Sequence, residues 1–231
     1  DILDIGGESS RPGAKSVSLD EELARIVPFI KEALRWHVPL SVDTAKPDVM
    51  KVVLDMGVDI VNDIWALRQA GAVEVVSQHA GCGVCLMHMH LDPQTMLAQP
   101  MKGDALSEVK DFLSQRLQVL TENGVDPSRI VLDPGIGFGK TVEQNFALLR
   151  EQSQLMALGC PLLAAWSRKS SLGAVTGLAV QDRLVPSVAA AVVAVERGAR
   201  IVRVHDVAAT VDALTVWRAA MLGKPPEQDR Q

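Results

Sequence analysis

The chain has 231 residues, and 23 Lys and Arg against 28 Asp and Glu leave a formal net charge of −5. Such a length suits one domain, since α/β barrels run to about 200–250 residues as a single unit, and 48% hydrophobic with 22% charged residues excludes a disordered chain. The acidic balance excludes a broadly basic nucleic-acid surface but leaves room for a local cationic pocket.

Short apolar runs alternate with longer helical patterns from one end to the other. The first strand, Ile2–Ile5, leads into Gly6-Gly7-Glu8-Ser9-Ser10-Arg11-Pro12. A helix is predicted over Leu19–Trp36, where Leu23, Ile26, Val27, Ile30 and Leu34 make one apolar stripe. Strand Pro39–Val42 ends at Asp43-Thr44 and precedes a helix over Pro47–Met56; strand Asp59–Val61 ends at Asn62-Asp63 before a helix over Ala70–His79. Strand Gly83–Met87 ends at His88-Met89-His90, with a helix over Ala105–Asn123, and strand Ile130–Leu132 ends at Asp133-Pro134-Gly135, with a helix over Val142–Met156. Strand Pro161–Ala165 leads to Ser167-Arg168-Lys169 and a helix over Arg183–Arg197. Strand Ile201–Val204 carries Arg203 and leads to His205-Asp206 and a helix over Ala208–Leu222. Within the penultimate helix Leu184–Val195 is apolar nearly all round, as buried or interface helices are, but falls short of the roughly 20 residues a bilayer needs. No membrane span is expected.

This alternation implies parallel strands with right-handed helical crossovers, in an open doubly wound sheet or a closed barrel. Seven such units follow one another without a linker, which favours a (β/α)8 TIM barrel whose first βα unit is absent from the chain. Residues 1–231 are therefore read as one N-terminally incomplete domain. In a barrel, function sits where the strands end, and a polar or charged cluster follows all seven runs. The odd count of three cysteines makes no disulfide framework and points to a reducing, cytoplasmic setting.

The Asp133–Thr141 stretch ends in Gly-Lys-Thr, yet Pro134 stands where a phosphate-binding P-loop needs glycine. What remains is a loop with three alternating glycines whose backbone can approach a ligand closely. Cys82 and Cys85 with His88 and His90 crowd around one strand, too close together for two zinc-ligand pairs, and alternation divides Cys85 and Met87 from His88 and His90. No metal site is assigned to them. Asp43, Asn62 and Asp133 end three strands; each could cap the following helix, but together they suit a flat heterocycle with an amidine-like edge. Arg11, Lys169, Arg203 and His205 bring cations to the same rim, as an anion would require.

Asp4-Ile5-Gly6-Gly7-Glu8-Ser9-Ser10-Arg11-Pro12, Ser41-Val42-Asp43-Thr44, Val61-Asn62-Asp63-Ile64, Met87-His88-Met89, the glycine loop, Ser167-Arg168-Lys169-Ser170 and Arg203-Val204-His205-Asp206 occur in this order. Together they closely resemble the bacterial dihydropteroate synthases, over essentially the whole chain. That family joins 6-hydroxymethyl-7,8-dihydropterin pyrophosphate to p-aminobenzoate, releasing pyrophosphate, and is the sulfonamide target of folate synthesis. The resemblance implies that Asp43, Asn62 and Asp133 hold the pterin edge, with Met87 lining that pocket. It implies that Lys169 contacts the pterin and closes over p-aminobenzoate, while Arg203 packs against the pterin ring. Ser10, Arg11, Arg203 and His205 would gather around the pyrophosphate with Mg²⁺, and Ser167, Pro12 and Phe138 would border the p-aminobenzoate pocket. A homodimer using helices on the Leu184–Val195 side is implied as well.

The chain departs from the family in places. The first strand and its loop, which carry an Asn linked to the magnesium ion, have no counterpart in these residues. Ser10 stands for a common Thr, Ile136 for a common Phe and His90 for a common Gln. Two rival readings use the same pocket: a pterin-dependent methyltransferase serving a corrinoid protein, and a non-catalytic pterin-binding paralogue. Arg11 and the Ser167-Arg168-Lys169 cluster favour the synthase over both.

Overall fold

The computed structural model describes residues 1–11, 13–96 and 98–223. Among these, seven parallel strands hydrogen-bond in chain order: β1 (Leu3–Gly6), β2 (Leu40–Asp43), β3 (Ile60–Asp63), β4 (Gly83–Met87), β5 (Ile130–Asp133), β6 (Leu162–Ala164) and β7 (Ala199–Val202). The helices between them are α1 (Leu19–Ala33), α2 (Pro47–Asp55), α3 (Ala72–Gln78), α4 (Ala105–Glu122), α5 (Val142–Glu151), α6 (Ser170–Thr176), α7 (Leu184–Glu196) and α8 (Val207–Leu222). The sheet curls as a barrel wall does: Asp4 on β1 and Arg203 just beyond β7 meet at 2.5 Å.

Each layer follows from patterning. The α1 stripe packs Ile26 and Ile30, both essentially inaccessible, against Leu40 and Val42 of β2. Burial of each such side chain stabilises the fold by about 1.5–3 kcal/mol. Ser18 starts α1 by accepting from Glu21 N at 3.2 Å, and Thr141 with Gln144 forms a capping box at the start of α5. Leu86, Leu132, Leu162 and Trp166 point outward into the large core beneath α3 to α7, while Met87, Met89 and Met96 form a separate cluster with Phe138 at the barrel mouth.

Register brings the polar strand ends level. Gly6 lies opposite Asp43, Asp43 opposite Asn62, Asn62 opposite Cys85, and Met87 opposite Asp133. β2 and β5 run one residue further than the apolar pattern suggests, taking in Asp43 and Asp133, and β3 runs two further, taking in Asn62 and Asp63, because the ladder needs backbone groups and is indifferent to the side chain. Strand β7 starts two residues earlier than expected, after the left-handed Gly198, and a register irregularity at Leu162/Leu163 accommodates the shift. Helix α6 was not expected; its seven residues are too few to show a helical period. Of the helix Leu184–Val195, expected to be buried or an interface, one face is buried in this chain and the other is exposed. Ala190, Ala191 and Ala194 are buried, but Val185 is 74% exposed.

Candidate active site

Four side chains from three strands and the β7 loop form one hydrogen-bonded group inside the barrel mouth. Arg203 donates through Nε to Asp4 Oδ2 at 2.5 Å and through Nη2 to Asp43 Oδ2 at 3.3 Å, and Asn62 Nδ2 donates to the same Asp4 oxygen at 3.3 Å. The second Asp4 oxygen is buried without a partner. Burial, with Asp4 close by, pushes the Asp43 carboxyl up to about 7 against the pull of Arg203. Burial disfavours charge on Arg203, but Asp4 and Asp43 outweigh it and hold the guanidinium above its usual range. The neighbouring Asp63 takes no part: it faces outward and accepts from Trp65 N at 2.8 Å and Leu67 N at 2.7 Å.

Asp133 lies level with Met87 and is almost fully buried. Burial raises its pKa; the Gly135 N–H at 2.7 Å and the ammonium of Lys169 work the other way. The loop that follows needs its glycines for contact with the chain itself. At Gly135 (φ 68°) a Cβ would stand 1.8 Å from the His88 carbonyl oxygen, and at Gly137 (φ 83°) it would press on Lys169 Cδ at 3.3 Å. The close approach expected toward a ligand is therefore, at these two positions, an approach to neighbouring loops. Lys169 lies with its ammonium 4.5 Å from the centre of the Phe138 ring, and burial pulls its pKa down to about 8.

The rim is built around Ser167. Its Oγ accepts from His205 N at 3.1 Å and lies 2.8 Å from His205 Nδ1. Asp206 does not pair with His205; it takes both arms of Arg168, at 3.1 and 2.7 Å. Partial burial, Arg168 and Arg203 all lower the His205 pKa, which works against the cation expected there from the sequence. Across the mouth, Ser10, Asp43, Thr44 and Trp65 line a cavity of about 560 Å³. Lys46 closes its floor, paired with Glu8 and, at 2.5 Å, with the buried Glu22, which also accepts from Thr44 Oγ1 at 2.6 Å. Glu8 in turn accepts from Val17 N at 3.2 Å and so anchors the loop that carries Ser10 and Arg11.

A family model described as pterin binding enzyme matches residues 1–205. The dihydropteroate synthase of Neisseria meningitidis serogroup B is 50% identical over 224 residues, which cover 95% of this chain and 79% of that protein. The chain belongs to the dihydropteroate synthase family. Solved relatives agree: the Burkholderia cenocepacia dihydropteroate synthase complexed with 7,8-dihydropteroate superimposes with a TM-score of 0.91 at 51% identity, covering 96% of this chain and 82% of that one. The Xanthomonas albilineans dihydropteroate synthase with 4-aminobenzoic acid gives a TM-score of 0.90 at 46% identity, covering 96% and 79%. These comparisons select the synthase over the corrinoid-linked methyltransferase.

For a dihydropteroate synthase chain, the structure gathers most of the residues named from sequence. Asp43, Asn62 and Arg203 form one group with Asp4; Met87 and Phe138 share an apolar cluster, with Lys169 against Phe138; Ser167 and His205 touch, and Ser10 faces the cavity that reaches Asp43. Arg11 stands exposed on its loop, and Pro12 lies outside the described residues. Sequence reasoning missed Asp4. A carboxylate within an apolar strand needs a buried partner, and that was the available signal. For the Mg²⁺ implied for the family, the described residues offer no group of three His, Cys, Asp or Glu side chains arranged to hold a metal ion. The nearest rim carboxylate, Glu8, is already engaged by Lys46.

Proposed function

We infer that the chain condenses 6-hydroxymethyl-7,8-dihydropterin pyrophosphate with p-aminobenzoate to give 7,8-dihydropteroate and pyrophosphate. The observation that carries this reading is the convergence of Asp43, Asn62, Asp133 and Arg203 on one mouth, in a chain half identical to a dihydropteroate synthase. Asp43, Asn62 and Asp133 accept and donate along the pterin edge, where a carboxylate takes two parallel N–H bonds. Arg203, held by Asp4 and Asp43, covers the pterin ring and serves the leaving group. Ser10, Arg11 and His205 take the pyrophosphate oxygens, and Ser167 and Phe138 flank p-aminobenzoate.

The bond from the pterin methylene carbon to oxygen breaks with its electron pair going to pyrophosphate. The aniline nitrogen then bonds to that carbon and loses a proton to water. Charge accumulates on the leaving group, so the cationic rim acts most strongly in the transition state. The electron-rich pterin carries the positive charge, and the carboxylate of Asp133 stabilises it. No protein nucleophile is needed.

Among the described residues no three acidic or metal-binding side chains are grouped to hold Mg²⁺, and we propose that the ion arrives chelated by the substrate's pyrophosphate. The test of function supplies both substrates and Mg²⁺ to this chain and to a form extended N-terminally by a first βα unit, and quantifies both products. Equimolar pyrophosphate and dihydropteroate from either form, lost on chelation with EDTA, is the expected result. Tight pterin binding with no product from either form would contradict it and favour the non-catalytic paralogue.

The free enzyme also predicts a bell-shaped pH profile of kcat/KM for pterin pyrophosphate. Asp43 must be ionised to accept pterin N–H groups, so activity falls as pH drops through about 7. Lys169 must be charged, so activity falls as pH rises through about 8. Asp43→Asn removes the acid limb; in the unaltered protein, a profile that stays flat from about two pH units below the lower value to about two above the higher contradicts the assignment.

A homodimer is our reading of the apolar residues left exposed on α7 and α8, among them Val185 at 74% and Val216 at 71%. Light scattering should return the mass of two chains, and Val185→Glu with Val216→Glu should return one. Cytoplasmic residence is likewise proposed, supported by three free thiols; no described helix is long and apolar enough to cross a membrane.

A further inference from the structure

The ammonium of Lys140 lies immediately behind the glycine loop, in a residue only 7% exposed. It donates to three backbone carbonyls: Gly135 O at 2.9 Å, Phe138 O at 3.3 Å and His88 O at 3.4 Å. The first two belong to the loop after β5 and the third to the loop after β4, so one cation ties two βα loops together. The Gly-Lys-Thr lysine is thus committed to carbonyl dipoles and not to a phosphate. A buried cation is costly without such partners, and burial indeed draws this ammonium down to about 7.

The other face of the same loop meets the reaction site. Phe138 carries the ammonium of Lys169 on its ring, and Lys169 lies so close to the loop that a Cβ at Gly137 would stand 3.3 Å from its Cδ. Asn145 on α5 holds the loop from a second direction, accepting from Gly137 N at 2.9 Å and donating to Ser171 Oγ at 3.0 Å, at the start of α6 beside Lys169. The placement of Phe138 and Lys169 therefore depends on the shape of the loop, and that shape depends on the carbonyls gathered by Lys140.

We propose that Lys140 is a positioning residue of the synthase, a cationic knot that joins the β4 and β5 loops and sets the Phe138–Lys169 wall against which p-aminobenzoate binds. This rests on the synthase reading above. Lys140→Ala should raise the KM for p-aminobenzoate by about 10- to 100-fold, the scale expected for a displacement of about 1 Å, while the KM for pterin pyrophosphate changes far less. Propylammonium, which replaces the missing atoms and can donate to the three carbonyls, should restore at least part of the loss. Tetramethylammonium, charged but without N–H groups, should restore none.

An unchanged KM for p-aminobenzoate, equal changes in both KM values, or a loss that propylammonium leaves untouched would each overturn the proposal. If Lys140→Ala does not fold, Lys140→Met keeps the apolar stem and must give the same split between the two KM values, without amine rescue. The unaltered protein, assayed in parallel in whichever form turns over, separates the two possible failures. No dihydropteroate from it overturns the synthase reading; normal turnover with an undisturbed variant overturns only the role of Lys140.

Discussion

Asp133→Asn lowers kcat by about 10²- to 10³-fold, the effect of removing one preorganised electrostatic contact to a developing charge, and leaves the KM for pterin pyrophosphate within about threefold. The reasoning starts from placement. Asp133 ends β5 inside the barrel, nearly sealed from water, where a carboxylate acts on a nearby cation with little screening. An asparagine keeps an oxygen for the Gly135 N–H and an edge for the pterin, so binding survives. The negative charge does not. Steady-state kinetics at saturating p-aminobenzoate separate the two quantities; a raised KM with kcat intact would make Asp133 a binding residue alone.

Arg203→Met is expected to be the most damaging change at the mouth, lowering kcat/KM by about 10³-fold or more, because one substitution removes a charge from the leaving group and leaves two buried carboxylates uncompensated. Arg203→Lys should rescue little, since a single ammonium cannot span Asp4 and Asp43 as the guanidinium does. Asp4→Asn then isolates the positioning part of the arrangement. It removes the charge that Arg203 Nε faces and disturbs Asn62 without touching either terminal nitrogen of the guanidinium, and a smaller loss of about tenfold follows. It should also lower the Asp43 pKa, because Asp4 is the charge that most raises it. The acid limb of the pH profile would move downward. Equal losses from Asp4→Asn and Arg203→Met would mean that Asp4 acts in its own right.

How far the sequence carried this reading depends on the distance over which each signal acts. Gly83–Met87 was legible to the residue because it is an apolar run bounded by Gly and by the first polar side chains. Asp43, Asn62 and Asp133 were legible as a set because parallel strands in sequential order place their ends at one mouth. The Asp4–Arg203 pair was not, since 199 positions separate its members and only the curl of the sheet brings β1 to β7. The role of Lys140 was legible only in the negative. Pro134 already excludes a P-loop, but the carbonyls that Lys140 gathers, two of them within five residues and the third 52 positions away, leave no mark on the sequence. Helix α6 escaped, and the helix expected over Val142–Met156 turns to 3₁₀ over Gln152–Leu158, because tertiary contacts such as Gln152 Nε2 donating to Ala194 O at 2.9 Å act there more than local periodicity.

Departure of pyrophosphate ahead of the aniline's attack is the claim on which these roles depend. It can be measured by placing ¹⁸O in the bridge between the pterin methylene and the first phosphorus, and incubating the enzyme with this substrate and Mg²⁺ without p-aminobenzoate. If the carbon–oxygen bond opens first, the released pyrophosphate rotates and recombines, and the label moves into a non-bridging position of recovered substrate. The account predicts such movement at a rate comparable with turnover, and its loss in Asp133→Asn. Substrate recovered with its label entirely in the bridge, from an enzyme that turns over normally once p-aminobenzoate is added, would contradict it.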